Sequence, residues 1–256
     1  MKEFLPTRRR LLTHLLGGTG LLALAGCDRL SESRWFPQLL GSAEAVNQQL
    51  HHALTSRKAM ATEFTEADLS PHLRSNGTHH PRDAEYNRLA AGGFRDWRLP
   101  VAGLVERPRA FSLEELRALP SRTQITRHDC VEGWSAIAKW KGARLGTLLE
   151  EVRPLPTARF VVFHCYDALD ETGDRYYESI DFEDAFHPQT ILAYEWNDEP
   201  LPIPYGAPLR LRVERQLGYK MAKYLKRIEL VDRLDDIGGG RGGYWEDRGY
   251  EWYAGI

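Results

Sequence analysis

His128-Asp129-Cys130-Val131-Glu132-Gly133-Trp134-Ser135-Ala136-Ile137-Ala138-Lys139-Trp140 sets one cysteine among charged and polar residues. A cysteine kept for packing behaves as a small hydrophobe and sits among apolar neighbours. Cys130 instead follows His128 and Asp129 and precedes Glu132 and Gly133. That setting suits a thiolate, the form of the side chain that attacks electrophiles and binds metals. Taken alone, the residue equally admits a half-buried thiol or one end of a disulfide.

Composition narrows the class. At 256 residues the chain is long enough for one large domain with a sizeable core. A formal net charge of −2 gives no general reason to expect nucleic acid. The cysteines stand at 27, 130 and 165, too few and too scattered for a disulfide framework or a zinc pattern.

A second stretch carries chemistry: Tyr205-Gly206-Ala207-Pro208-Leu209-Arg210-Leu211, continuing to Gln216-Leu217-Gly218-Tyr219-Lys220-Met221-Ala222-Lys223-Tyr224. Between 210 and 227 stand Arg210, Arg212, Arg215, Lys220, Lys223, Lys226 and Arg227, balanced only by Glu214. On charge alone this is also what a solvated basic face looks like. Gly206 and Gly218 let backbone approach a ligand closely. Arginine grips a phosphate with a fork of donors, and lysine adds a point charge.

Local patterns place these stretches. The spacing of Val46, Leu50, Ala53 and Leu54 predicts a helix from Ser42 to Met60, capped by Ser42. Pro71 to Pro81 is turn-rich around Asn76-Gly77. Trp97 to Val105 alternates as a strand, and Ser112-Leu113-Glu114-Glu115 opens a helix with a capping box. Arg122 to Asp129 is a strand that delivers Cys130 to a loop. A short helix is expected over Leu145 to Val152, and strands over 158–166, 176–181 and 191–196, with Asp181 as a helix cap. Cys165, late in the first of these three strands, reads as packing. The aromatic tail after Gly238 is expected to pack back on the domain.

The two motifs together resemble the sulfite oxidase family of molybdopterin enzymes, in the variant found in bacterial periplasmic sulfoxide reductases. The likeness runs from about residue 70 to the end. It implies a mixed α+β fold of several short sheets in a single domain. It implies a molybdenum–molybdopterin cofactor, with Cys130 as the protein's ligand to the metal. It implies cofactor contacts at Asn76, Tyr205, Arg210, Met221, Ala222 and Lys223, and places Arg74 in the catalytic site. The family has His or Asn where this chain has Tyr205, and commonly proline where it has Glu214. The implied activity is two-electron oxygen-atom transfer at a sulfur or nitrogen centre, with sulfoxide reduction as the favoured reaction. Sulfite dehydrogenation is the enzymatic alternative, with Arg74 as part of a cationic pocket. A cofactor-free lipoprotein acting as a binding or scaffold module, with Cys130 bridged to Cys165, is the alternative of another class.

Residues 1–27 read as an export segment. Thr7-Arg8-Arg9-Arg10-Leu11-Leu12 resembles a twin-arginine signal, and Leu24-Ala25-Gly26-Cys27 a lipoprotein box. Its apolar stretch is shorter than the roughly 20 residues a membrane-spanning helix needs. The expected location is therefore the periplasm, with an inner-membrane anchor through lipid on Cys27. Residues 28–69 are expected as linker and N-terminal helix, and 70–256 as the oxidoreductase domain. No haem or iron–sulfur motif is present, so the electrons need a partner, in the family a membrane b-type cytochrome. The chain is expected to act as a monomer on a small-molecule substrate.

Overall fold

The structure, a computed structural model, describes residue 33, residues 35–54, residue 56, residues 58–169 and residues 173–256. The export motifs and Cys27 lie outside the described residues. The chain divides into two units, residues 1–54 and 55–256. In the first, helix α1 spans Trp35–Leu54. It starts and ends earlier than the periodicity around Ser42 predicts. Ser33 supplies the acceptor at its start, taking the Phe36 N–H at 3.2 Å, so Ser42 falls inside the helix. Among the described residues no helix is long and apolar enough to cross a membrane.

The second unit is α+β, as the resemblance implies. Its elements are α2 (Ala84–Ala91), β1 (Arg98–Gly103), β2 (Arg109–Ser112), α3 (Leu113–Ala118), β3 (Ser121–Asp129) and β4 (Ser135–Arg144). They continue as α4 (Leu145–Val152), β5 (Phe160–Ala168), β6 (Arg175–Asp181), α5 (Phe182–Ala185), β7 (Ile191–Trp196), β8 (Glu199–Pro200), β9 (Arg210–Arg212) and β10 (Leu225–Val231). One sheet runs β2-β1-β10-β5-β6, with β1 and β10 parallel. The other runs β3-β4-β7-β8, with β9 also paired to β7.

Local chemistry explains the elements that the sequence announces. Ser112 accepts the Glu115 N–H at 3.0 Å and Glu115 accepts the Ser112 N–H at 2.7 Å, the reciprocal capping box that starts α3. Asp181 accepts the Asp184 N–H at 2.9 Å and starts α5. Leu145, Leu148, Leu149 and Val152 stack on one face of α4 and are all buried. They join Trp97, Leu99, Val101, Phe111, Val161 and Ile228 in the main core.

The second sheet is built differently. β3 turns Gln124, Thr126 and His128 inward, so its buried face is polar. β4 answers with Ala136, Ala138 and Trp140. Gln124 Nε2 donates to Glu214 at 2.8 Å and to the Gln189 carbonyl at 3.0 Å. This sheet carries the charged side chains of the site rather than a purely apolar core. Gly142 sits where the antiparallel pairing of β4 with β7 shifts register, and a Cβ there would collide with the Leu192 carbonyl.

The tail packs back, as its aromatic content predicts. Lys220 Nζ donates to Glu178 on β6 at 2.5 Å and to Glu246 in the tail at 2.6 Å, and all three side chains are buried. Burying ions is costly, and a pair broken by removing one partner leaves an uncompensated charge. Lys220→Met is expected to cost about 3–5 kcal/mol of unfolding free energy. Urea denaturation of the cofactor-stripped chain measures this, and a loss under about 1 kcal/mol would show that the cluster does not hold the tail.

Candidate active site

The β3–β4 hairpin presents Cys130. The strands pair to Asp129–Ser135, and the turn between them is tied by Cys130 N–H to the Trp134 carbonyl and Gly133 N–H to the Cys130 carbonyl, both 2.9 Å. Gly133 takes φ +85°, a left-handed conformation that favours glycine. Ser135 donates to Asp129 at 2.5 Å and closes the base of the loop. Cys130 is 7% exposed, and its Sγ accepts from Asn76 Nδ2 at 3.6 Å.

Burial raises the pKa of the Cys130 thiol, and Glu132 adds to the rise. The Glu132 N–H, the Asn76 amide and Arg74 oppose it without reversing it. An isolated thiol here stays protonated and is a poor nucleophile. A bound metal ion reverses that balance, because coordination deprotonates a thiol outright. Among the described residues no cluster of three or more His, Cys, Asp or Glu side chains can hold a metal. A metal at Cys130 must therefore bring most of its own ligands.

Cys130 opens on a cavity of about 410 Å³ whose walls include Asn76, Asp167, Arg210, Met221 and Lys223. Val131, Leu169, Trp245 and Tyr250 add apolar surface. Arg210 is buried. It donates to the carbonyls of Tyr205 at 3.1 Å and Met221 at 3.3 Å, and its guanidinium lies 4.9 Å from the Trp140 ring centre. Its Nε is buried without a hydrogen-bond partner. Burial and neighbouring Arg212 push its pKa down to about 9. Lys223 is pushed down to about 7, first by burial and then by Arg210. Both shifts reflect burial in a positive field that Glu214 and Asp167 offset only in part.

Arg212 is paired. It holds Glu214 through Nε at 2.9 Å and a terminal nitrogen at 2.5 Å, and donates to His128 Nδ1 at 3.0 Å. Burial and the surrounding Arg212, Arg210 and Lys223 hold His128 well below its usual pKa, so the imidazole is neutral. Its ring leaves no room for a side chain at Gly218, where a Cβ would collide with it.

The cavity thus gathers Cys130, Asn76, Arg210, Met221 and Lys223. Tyr205 and Arg74 line an adjoining smaller cleft with Arg210 and Lys223. The Tyr205 hydroxyl donates to the Leu73 carbonyl at 2.8 Å, and its ring stacks on Trp196 at 4.6 Å. Arg74 is exposed and does not line the Cys130 cavity. Ala222 is buried, and its carbonyl accepts the Leu211 N–H at 2.8 Å. Cys130 and Cys165 are both free thiols, which corrects the alternative of a disulfide between them. Cys165 is packed on β5 opposite Leu225 of β10. Asp167, Trp245 and Tyr250 were not legible as site residues. The tail's aromatic density was the only signal for the last two.

These residues fit a metal-bearing pterin with a phosphate. They offer one soft sulfur donor, an unpartnered guanidinium Nε, a cationic field and a cavity in the size range of small-molecule sites. Residues 88–236 match the family described as "Oxidoreductase molybdopterin binding domain". Over 251 residues, 98% of this chain and 88% of the relative, the chain is 36% identical to a provisionally named protein-methionine-sulfoxide reductase subunit, YedZ1, of Azospira oryzae. Over 149 residues, 55% of this chain and 46% of the relative, it is 36% identical to the protein-methionine-sulfoxide reductase catalytic subunit MsrP of Xanthomonas axonopodis pv. citri. Among solved structures, the sulfane dehydrogenase SoxCD from Paracoccus pantotrophus aligns with a TM-score of 0.49 and 22% identity, covering 59% of this chain and 45% of that one. The soft sulfur donor on the cavity wall, the positive field beside it and the family match agree, and the chain belongs to the molybdopterin-binding oxidoreductases of the sulfite oxidase family, enzymes that depend on molybdenum.

Proposed function

We propose that this enzyme reduces a sulfoxide, with methionine sulfoxide in proteins or peptides as the substrate class. The reaction takes up two electrons and two protons, releases water and leaves a thioether. The bound cofactor supplies the two-electron redox chemistry. Cys130 is its protein ligand to molybdenum, a soft thiolate aimed by Asn76 and by the tight β3–β4 turn. Arg210 offers its free Nε to the phosphate. Lys223 contributes charge rather than a free donor. Its Nζ already donates to the carbonyls of Asn76 and Thr78 at 2.7 Å and Pro204 at 3.2 Å.

The character of the cavity mouth carries the choice of substrate. Val131 is 47% exposed and Tyr250 37% exposed, and both line the cavity, so both sit at its opening. Leu169 and Trp245 continue this apolar surface, and exposed Glu132 stands beside it. A neutral, dipolar sulfoxide on an aliphatic chain suits these groups, and aromatic rings favour contact with sulfur. A sulfite dianion meets the Glu132 carboxylate there, while Arg74 lies in the other cleft. The names of the two relatives point the same way.

The electrons come from a separate partner, for which a membrane b-type cytochrome fits the family. The paired Arg8-Arg9 and the Cys27 box support export and anchoring in the periplasm.

A panel of methionine sulfoxide peptides, free methionine sulfoxide and sulfite on molybdenum-loaded protein tests the assignment. Turnover of the peptides with a reduced dye and none of sulfite is expected. Faster turnover of sulfite with an oxidised acceptor would reverse the reading. Cys130→Ser replaces the soft thiolate with a hard hydroxyl. Turnover should fall by about a thousandfold or more while pterin stays bound in part. A serine variant that keeps its rate removes Cys130 from the metal.

Lys223 gives a pH dependence. In the cofactor-free fold its pKa is about 7, below its ordinary value, so the charged form is disfavoured there. An anion in the cavity favours the charged form, so binding takes up a proton above about pH 7. Cofactor retention should therefore weaken as pH rises through 7 toward 9, by up to about tenfold per unit. Dialysis at graded pH with fluorescence of the released pterin reads this directly. Flat retention over that range contradicts a role for the Lys223 charge.

A further inference from the structure

Helix α1 carries an apolar stripe along its whole length. At 3.6 residues per turn, Trp35, Ala43, Val46, Leu50, Ala53 and Leu54 fall within an arc of about 100°. All six are exposed, Trp35 at 57%, Val46 at 62%, Leu50 at 55% and Leu54 at 78%. Gln48 stands on the opposite side, with His51 beside it. A stripe of this width is normally turned to a core. Among the described residues, both hydrophobic clusters are built from the second unit. Apolar residues scattered singly on a surface need no account, but an aligned row of them marks a contact.

The sequence before the helix points to what covers it. Cys27 of the lipoprotein box stands eight positions before Trp35. Eight residues of chain reach at most about 29 Å when fully extended. A lipid on Cys27 therefore keeps the start of α1 close to the bilayer surface. The helix has 20 residues, a length of about 30 Å, and is not apolar enough to cross a membrane. A helix that is apolar on one face alone lies in the plane of the interface, with its stripe among the acyl chains and its polar side in water. Trp35 opens the stripe, with the Phe36 ring edge-on at 5.6 Å. Tryptophan is the side chain that concentrates at the membrane–water boundary. Glu44 is the one residue of the helix among Asp, Glu, Lys and Arg, so attraction to anionic headgroups is not what drives the contact.

We propose that α1 is an in-plane membrane helix, seated through this stripe on the phospholipid surface that holds the Cys27 lipid. A single acyl chain gives only marginal, reversible binding, and a second contact makes anchoring stable. The helix is that second contact, and its ligand is neutral, zwitterionic lipid. The proposal rests on the anchoring reading of the Cys27 box for what brings the helix to the bilayer.

The full chain, exported and loaded with cofactor in cells, is reconstituted in phosphatidylcholine vesicles to test it. Leu50→Cys and Leu54→Cys place a fluorescent label on the stripe, and Gln48→Cys places one opposite. The wild type, treated alike, gives the blank for the native cysteines, and unchanged dye-driven turnover shows that each variant is folded. Labels at 50 and 54 should be quenched by nitroxide-bearing lipids and protected severalfold from aqueous iodide relative to the label at 48. Raised salt should leave this pattern unchanged. Equal iodide quenching at the three positions overturns the proposal and makes α1 a spacer in water. Shielding of 50 and 54 from both quenchers also overturns it, by giving the stripe to a protein partner. Either stripe variant decides if the other is not recovered. The mass of the amino-terminal peptide reports lipid on Cys27 separately. Lipid there with a wet stripe faults the helix alone, whereas nitroxide quenching at 50 and 54 without that lipid faults the anchor and leaves the helix standing.

Discussion

The second sheet is arranged around a buried positive charge that the protein itself neutralises only in part. Arg210 lies under Trp140, held at two carbonyls, with its Nε unmet and its pKa pushed down to about 9 by burial and Arg212. Unpaired buried charge is expensive, and a fold keeps it only where a ligand offsets the cost. Several features follow from that constraint. β3 turns a polar face inward so that Gln124 can hold Glu214, which in turn holds Arg212. Trp140 is sandwiched near both guanidiniums, 4.9 Å from Arg210 and 4.5 Å from Arg212. His128 stays neutral because burial, and then the field of Arg212 and Arg210, disfavour a second proton. Glu214, where the resembling family commonly has proline, is thus the counter-ion that makes two adjacent arginines tolerable in one layer.

The parts that rest on local chemistry were legible in the sequence. The capping box at Ser112, the Asp181 cap, the leucine spacing of α4 and the strand at Ile191–Trp196 each depend on near neighbours and stand where they are expected. β4 was not legible. Its inward residues are Ala136, Ala138 and Trp140, and its outer ones include Lys139 and Lys141, so hydrophobicity does not alternate strongly enough to show. What makes it a strand is pairing on both edges, with β3 and β7. Ser42 misled for the opposite reason. It is a good cap by type, but the helix already starts upstream at Ser33.

The site divides along the same line. Cys130 and Arg210 were readable because their motifs are short and continuous. Asp167 was not, because a carboxylate near a strand end has many ordinary uses. Only the bulge in β5 and the missing partner on Oδ1 distinguish it. Arg74 came from the family resemblance alone; it lines the adjoining cleft together with Asn76, and Asn76 also turns to Cys130.

The tail raises the question of how firmly the mouth of the cavity is held. Trp245 and Tyr250 stack at 5.2 Å and both line the cavity. Glu246, the neighbour of Trp245, is tied to Lys220 in a fully buried cluster that also contains Glu178. Two carboxyls against one ammonium leave a surplus negative charge. Burial raises Glu178 well above its ordinary pKa, and Glu246 adds to the rise while Lys220 opposes it. The Oε2 atoms of both carboxyls are buried with no hydrogen-bond partner, so Lys220 alone holds the two together. Such a cluster resists opening, because separating its members strands charge in a place water does not reach. The wall that meets the substrate is therefore anchored as deeply as the core. A mouth of that kind selects by shape and polarity in the resting protein, with the flexible partner in recognition being the substrate's own side chain.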